Sequence, residues 1–295
     1  MAKKLFNTKI GLALGGGAAK GIAHVGVLKA LEDNNVDIRY IAGTSVGAIV
    51  AALYAFNIDV DTIGGLAKRL TMSKVTSFKL SKTGFFSTES LRDLMVEYLG
   101  EVNIEEANIP LSIVATDIKT GEEIILTHGS VADAVCASAA IPGFYIPVQI
   151  GTRTLVDGGL VQNVPIEALQ AMGAGVTIAS HLNSASHYSD ISHVLDVMRN
   201  AFEIAVSHHT RDQLESADLL ISMDVSNFSL RDNTDRYDEL FAVGYNTATQ
   251  QLNKLVWYKK RNVLLYPWRA VKELAPFKVP EAVKRLTLEK NSVDK

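Results

Sequence analysis

Short apolar runs alternate along the chain with longer segments in which apolar residues recur about every three or four positions. The short runs predict buried strands, and the longer segments predict helices that bury one face. The predicted strands are Ile10–Leu14, Ile38–Ala42, Leu111–Asp117, Glu122–Thr127, Thr154–Asp157, Val176–Ser180 and Asp218–Met223. The predicted helices are Ile22–Asn34, Val46–Phe56, Asp59–Leu70, Thr88–Tyr98, Val131–Ala140, Pro165–Met172, His193–Ser216 and Asp238–Leu255. This alternation predicts an α/β fold, a three-layer α/β/α domain with a largely parallel central sheet.

A GxSxG sequence, Gly43-Thr44-Ser45-Val46-Gly47, stands between a predicted strand and a predicted helix. This context is typical of a nucleophile elbow, in which a sharp turn presents a serine hydroxyl at the start of a helix. Gly43 and Gly47 would leave room for the bend and for neighbouring backbone. Ser45 is therefore a candidate nucleophile; the alternative is that it only caps the helix.

A glycine-rich loop follows the first predicted strand and precedes the first predicted helix, with the sequence Gly15-Gly16-Gly17-Ala18-Ala19-Lys20-Gly21. Such a loop presents backbone N–H groups to an anion, either a phosphate or the oxyanion of an acyl-transfer intermediate. It lacks the glycine spacing of dinucleotide-binding loops and the Gly-Lys-Ser/Thr ending of P-loops. The sequence therefore favours the oxyanion over a nucleotide.

A third segment, Leu155-Val156-Asp157-Gly158-Gly159, ends a short predicted strand in a carboxylate followed by two glycines. Gly158 and Gly159 would allow other backbone to approach the carboxylate closely. Taken alone, Asp157 is equally typical of an ordinary turn.

In this order the three segments resemble the motifs of the patatin-like phospholipase family, and the resemblance extends from about Ile10 to about Leu169. Two shorter matches support it, the sequence from Ala137 to Gly143 and the sequence Asn163-Val164-Pro165. The resemblance implies a patatin-like fold and a serine acyl hydrolase that cleaves carboxylic esters of phospholipids or lysophospholipids. It implies no cofactor and no metal, and no acidic loop with a calcium-ligand pattern is found in the sequence.

The family resemblance also implies a catalytic dyad without histidine, with Ser45 as the nucleophile and Asp157 as the base. The backbone amides of Gly16, Gly17 and Val46 would then hold the oxyanion. Burial of the Asp157 carboxyl in an apolar cleft would raise its pKa and make it a stronger base.

The glycine loop departs from the family pattern at two positions. Ala18 stands where the family has the third glycine of its loop, and Lys20 stands where it has arginine. Lysine lacks the planar fork through which arginine makes several hydrogen bonds. These two departures affect the loop and leave the assignments of Ser45 and Asp157 unchanged.

Three alternatives remain open, one to the catalytic mechanism and two to the function. His181 follows a predicted strand, and the order Ser45, Asp157, His181 would match the triad order of an α/β-hydrolase. An acyltransferase would use the same dyad with an alcohol in place of water. A binding or regulatory module could keep the fold without catalysis.

Composition and charge narrow the classes of partner. The 295-residue chain is 47% hydrophobic and 21% charged with a net charge of −3, which disfavours nucleic acid as a partner. No apolar run reaches the roughly 20 residues that span a bilayer. The single Cys136 excludes an internal disulfide, so we expect a cytoplasmic protein. The sequence does not predict an oligomeric state.

The start of the chain resembles a targeting sequence. The N-terminal lysines followed by an apolar run imitate a secretory signal, but cleavage after Ala19 would destroy the glycine loop, so no signal peptide is expected.

We expect an acyl hydrolase domain over residues 8–255 and a C-terminal extension over residues 256–295. Both tryptophans lie within Trp257–Arg269 among basic residues. This segment predicts either a packed cover or peripheral contact with the inner membrane face.

Overall fold

The structure is a computed structural model, and it describes residues 9–17, 20–69, 77–78, 83–183, 191–228 and 235–262. Its strands are β1 (Ile10–Leu14), β2 (Ile38–Thr44), β3 (Ser77–Phe78), β4 (Gly84–Ser87), β5 (Leu111–Asp117), β6 (Glu123–Leu126), β7 (Gly143–Tyr145), β8 (Val148–Ile150), β9 (Arg153–Asp157), β10 (Val176–Asn183) and β11 (Leu219–Asp224). Its α-helices are α1 (Ile22–Asp33), α2 (Val46–Ala55), α3 (Val60–Arg69), α4 (Glu89–Leu99), α5 (Val131–Ser138), α6 (Ile166–Ala171), α7 (Val194–Leu214) and α8 (Tyr237–Asn262). The predicted α/β alternation is confirmed, and most boundaries agree within two residues; predicted residue Leu70 lies outside the described residues.

The main sheet contains eight of the described strands, in the order β11-β10-β1-β2-β5-β9-β8, with β6 also paired to β5. The five strands from β11 to β5 run parallel to their neighbours. Strands β6 and β9 run antiparallel to β5, and β8 runs antiparallel to β9. The sheet is thus parallel on one side and antiparallel on the other.

Helices cover both faces of the parallel half. Ala42 on β2 lies in an apolar cluster with Ala13, Ala179 and the α6 residues Ile166 and Leu169. The next residue, Gly43, faces the opposite side, because a Cβ built on it would lie 2.5 Å from the Cα of Ala48 in α2. Two helix layers on one central sheet confirm the predicted three-layer architecture.

Four short strands, β3, β4, β7 and β8, were not expected. Strands β3, β4 and β7 form a separate small sheet, whereas β8 adds to the antiparallel side of the main sheet. Each has four residues or fewer, which is too short for the alternation of apolar and polar positions to be recognised.

The C-terminal helix ends later than predicted, since α8 runs to Asn262 rather than to Leu255. The chain divides into two compact units, residues 1–251 and residues 252–295. Of the second unit only the helical backbone up to residue 262 is described, so most of the predicted C-terminal extension lies outside the described residues. Among the residues that are described, no helix has both the length and the apolarity to cross a membrane.

Candidate active site

Ser45 occupies the turn between β2 and α2 in a backbone conformation that serine rarely adopts, with φ 54° and ψ −125°. Its backbone N–H donates to Ser138 Oγ at 2.9 Å, and Ser138 Oγ donates to the Val114 carbonyl at 2.6 Å. The helix-cap alternative requires a hydrogen bond from the Ser45 side chain to the start of the helix, and the structure has no such bond. A positive φ held by surrounding contacts is typical of a strained functional turn.

The two glycines of the elbow are required by close backbone contacts. A Cβ on Gly47 would collide with the Leu14 carbonyl at the end of β1, and Gly43 lies against the backbone of α2. The turn can therefore lie directly against the glycine loop that follows β1.

Asp157 ends strand β9 and reaches the same level of the sheet as Ser45. Thr44, the residue before Ser45, pairs with Val114 on one side of β5, and Asp157 pairs with Ala115 on the other side. Ser45 and Asp157 therefore stand on either side of β5 at the same end of the sheet. Strand β9 runs antiparallel to β5 and ends at that level, so Asp157 stands at the carboxyl end of its strand. A Cβ on Gly158 would collide with the Val114 carbonyl, so glycine is needed where the chain turns away.

The Asp157 carboxyl is almost completely buried, and its two oxygens differ in their hydrogen bonding. Its Oδ1 accepts the Gly159 N–H at 2.8 Å. Its Oδ2 is buried and has no hydrogen-bond partner of standard geometry among the described residues. Burial raises the pKa of Asp157 to about 6, against the smaller opposing effects of hydrogen bonding by the Ser45 hydroxyl and the Gly159 N–H. The Ser45 hydroxyl is thus close enough to affect the carboxyl but does not meet the standard geometry of a hydrogen bond to Oδ2.

The glycine loop is tied at its first two residues. The Gly15 N–H donates to the Ser180 carbonyl at 3.0 Å, and the Gly16 N–H donates to the Asn163 carbonyl at 3.1 Å. Gly16 was expected to supply an oxyanion donor, and in this structure its N–H is engaged by the Asn163 carbonyl. The Val46 N–H opens helix α2 and has no partner within that helix. No hydrogen bond from the Gly17 N–H to another described residue is found, whereas Ala18 and Ala19 lie outside the described residues.

His24 on α1 contacts both the glycine loop and β10, a role that was not predicted from the sequence. Its Nε2 lies 2.8 Å from the Gly15 carbonyl oxygen, and its Nδ1 lies 2.8 Å from Ser180 Oγ. A carbonyl only accepts, so Nε2 carries the proton and Nδ1 accepts from the Ser180 hydroxyl. Complete burial lowers the pKa of His24 to about 4, which keeps it neutral. The only sequence feature that could have indicated this role is the position of His24 among the apolar residues of a buried helix.

Lys20 lies beside two carboxylates at the end of the loop. It is more than half buried, and burial lowers its pKa while Glu203 and Asp224 oppose this by favouring its charged form. Burial also raises the pKa of Glu203, and the positive charges of Arg199 and, to a smaller extent, Lys20 act in the opposite direction. The cation at the family's arginine position is thus balanced by acidic side chains of α7 and β11.

His181, the candidate third member of a triad, is directed toward the opposite edge of the sheet. Its Nδ1 lies 3.2 Å from Ser222 Oγ on β11, the strand beyond β10. Burial lowers the pKa of His181 to about 4. Strand β1 lies between β10 and β2, which places the His181 backbone about 10 Å from that of β2. The geometry therefore favours the Ser45–Asp157 pair without His181.

No group of three His, Cys, Asp or Glu side chains within the described ranges is placed to hold a metal ion.

Comparison with known proteins identifies the family of the chain. The family model for patatin-like phospholipase matches residues 12–169, which is more than half of the chain. An uncharacterised NTE family protein of Mycobacterium tuberculosis is 36% identical over 180 residues, covering 60% of this chain and 50% of that protein. Lysophospholipase NTE1 of Pyricularia oryzae is 30% identical over 190 residues, covering 62% of this chain and 13% of that protein.

A solved structure shows the same fold at low sequence identity. VipD of Legionella pneumophila superposes with a TM-score of 0.55 at 15% identity, covering 84% of this chain and 67% of VipD. The chain spans half the length or less of the curated relatives described above. The family match covers the β1–glycine loop, the Ser45 elbow and the Asp157 turn together. The chain therefore belongs to the patatin-like phospholipase family.

Proposed function

We propose that this chain is a serine acyl hydrolase that cleaves carboxylic esters of phospholipids or lysophospholipids through Ser45 and Asp157. The observation that carries the proposal is the meeting of a strained serine with a buried carboxyl of raised pKa on either side of β5. The lipid substrate is supported by family membership and by the lysophospholipase name of one relative.

In the first half-reaction Asp157 removes the proton from the Ser45 hydroxyl as the serine oxygen attacks the ester carbonyl. An ordinary aspartate, with a pKa near 3.9, is too weak a base for this step. A pKa of about 6 leaves Asp157 mostly ionised at pH 7 while increasing its basicity. When the tetrahedral intermediate collapses, the bond to the alcohol breaks and Asp157 returns the proton to the leaving oxygen.

In the second half-reaction water replaces the alcohol. Asp157 takes a proton from water as the water oxygen attacks the acyl-Ser45 ester. When this intermediate collapses, the bond to Ser45 Oγ breaks, Asp157 returns the proton to Oγ, and the carboxylic acid leaves. In both steps negative charge develops on the former carbonyl oxygen. The Val46 and Gly17 amides are our candidates for stabilising it, with the start of α2 adding a favourable dipole.

An acyltransferase would differ only in the acceptor of the acyl group, and a regulatory module would not form the acyl-serine. A fluorophosphonate probe and a lipid screen separate these functions. We expect the probe to label wild type and Ser222→Ala, a serine variant remote from the dyad, but not Ser45→Ala. We also expect wild type to release fatty acid from phospholipid or lysophospholipid, with Asp157→Asn inactive.

Three results would change the assignment. Acyl products that appear only when an alcohol acceptor is added would favour the transferase. Absence of probe labelling in folded wild type would favour a binding module. Equal labelling of Ser45→Ala would exclude Ser45 as the nucleophile.

A further inference from the structure

Asn163 is fixed by two backbone hydrogen bonds close to the candidate dyad. Its N–H donates to Gln213 Oε1 on α7 at 3.0 Å, and its carbonyl accepts the Gly16 N–H at 3.1 Å. The Gln213 carboxamide also donates to the Val161 carbonyl at 2.8 Å, so one side chain of α7 holds this segment at two points. The position of the Asn163 side chain is therefore set by main-chain contacts that a substitution at Asn163 would retain.

The Asn163 carboxamide lies in the same small space as the dyad. A Cβ built on Gly16 would lie 2.6 Å from Asn163 Oδ1 and 3.3 Å from Ser45 Cβ. A Cβ built on Gly159 would lie 3.1 Å from Asp157 Oδ1 and 3.6 Å from Asn163 Oδ1. The two missing Cβ atoms leave this space open beside Ser45.

This carboxamide has no hydrogen-bond partner among the described residues, although Asn163 is only 6% exposed. Its Oδ1 and Nδ2 are not among the fully buried side-chain atoms that lack a partner, which agrees with a carboxamide that faces open space. A carboxamide without a partner among the described residues, on a backbone tied by two hydrogen bonds, indicates a group that is held ready for a ligand.

We propose that the Asn163 carboxamide donates an N–H to the ester carbonyl oxygen as it becomes the oxyanion, an inference that rests on the proposed function. Rotation of the amide by half a turn exchanges its oxygen and nitrogen without changing its shape. The donor replaces the Gly16 N–H, which the Asn163 carbonyl has withdrawn from the site. Asn163 gains and loses no proton during the reaction.

The test compares Asn163→Ala and Asn163→Asp with wild type, with the exposed Asn108→Ala as the matched control. Each protein is mixed with a p-nitrophenyl ester, and the rate of acylation and KM are measured. We expect the acylation rate to fall by about 10²-fold in both Asn163 variants, the effect of losing one oxyanion donor, with KM changed much less. Asn108→Ala is expected to match wild type.

A second measurement distinguishes stabilisation of the oxyanion from support of the fold. A trifluoromethyl ketone forms a tetrahedral adduct on the nucleophile, and its Kd should rise in Asn163→Asp by a factor similar to the loss in rate. Asn163→Asp keeps the size of the side chain, so it serves as the decisive variant should Asn163→Ala lose its fold.

Three results would overturn the inference in distinguishable ways. Acylation within threefold of wild type in a folded Asn163→Asp would exclude the donor. A rise in KM with an unchanged acylation rate would show ground-state binding instead. An inactive wild type whose Ser45 resists the fluorophosphonate probe would remove the proposed function itself, and the inference with it.

Discussion

Oδ1 of Asp157 accepts the backbone N–H of Gly159 at 2.8 Å, which leaves Oδ2 as the oxygen available to Ser45. The carboxyl is thus oriented by the turn that follows it, without a histidine between the proposed base and the proposed nucleophile. Two glycines make this possible, since Gly158 passes close to β5 and Gly159 directs its amide back to the carboxylate.

The first prediction concerns the pH dependence of activity. The base must be ionised to accept the Ser45 proton, and burial raises the pKa of Asp157 to about 6. We expect kcat/KM for a neutral ester to fall as the pH is lowered through about 6. A profile measured from pH 4 to 8 checks this. A midpoint near 4 would mean that Asp157 is not desolvated in the working enzyme.

The second prediction concerns the pH dependence of stability in Asp157→Asn. The folded-state pKa of about 6 lies above the ordinary value of 3.8, so wild type loses stability as the pH rises through this window. Asparagine keeps an oxygen for the Gly159 N–H but does not ionise. We expect the variant to gain about 2–3 kcal/mol over wild type between about pH 4 and pH 7. Urea titrations at both pH values measure this gain, and a constant difference would contradict it.

The third prediction uses the strain at Ser45. Its φ of 54° disfavours any side chain, and glycine alone adopts such a conformation readily. Ser45→Gly and Ser45→Ala both remove the hydroxyl, but only glycine relieves the strain. We expect Ser45→Gly to be more stable than Ser45→Ala by about 1–2 kcal/mol in urea unfolding. Equal stability would show that the turn is not strained.

The fourth prediction compares two glycine substitutions. A Cβ at Gly158 would collide with the Val114 carbonyl, whereas a Cβ at Gly65 in helix α3 meets no atom within 4 Å. We expect Gly158→Ala to lower the free energy of unfolding by more than about 2 kcal/mol, since backbone must shift. Gly65→Ala should be neutral or stabilising by up to about 1 kcal/mol. Thermal unfolding of both variants tests the contrast.

The fifth prediction separates two buried histidines. His24→Ala leaves the Gly15 carbonyl and the Ser180 hydroxyl unpaired and opens a cavity, so we expect a loss of about 3 kcal/mol in stability together with reduced esterase activity. His181→Ala loses the contact to Ser222 and should retain most of the activity. Inactivation of a stably folded His181→Ala would restore the triad.

The sequence was sufficient for the parts of the fold that depend on local pattern. Strands β1 and β5 and the starts of α1, α2 and α5 were predicted at their observed residues. The placement of Ser45 at a strand-to-helix turn followed from its flanking apolar runs. Such features are encoded by the periodicity and the turn residues of a single segment.

Features that depend on contacts between distant segments were not predictable in this way. The antiparallel direction of β9 leaves no trace in its five residues, because a buried strand has the same pattern in either direction. The loss of the Gly16 amide as a free donor depends on the carbonyl of Asn163, far along the chain. The role of His24 likewise requires the loop and β10 to be in place.

The single proton of the Ser138 hydroxyl determines more than one bond. Because that proton goes to the Val114 carbonyl, the oxygen can only receive the amide hydrogen of Ser45. The peptide plane joining Thr44 to Ser45 is thereby locked, and its amide is turned away from the cleft. If Ser45 acts as we propose, it therefore cannot assist its own intermediate through its own main chain, and the amide of the next residue is the candidate for that task.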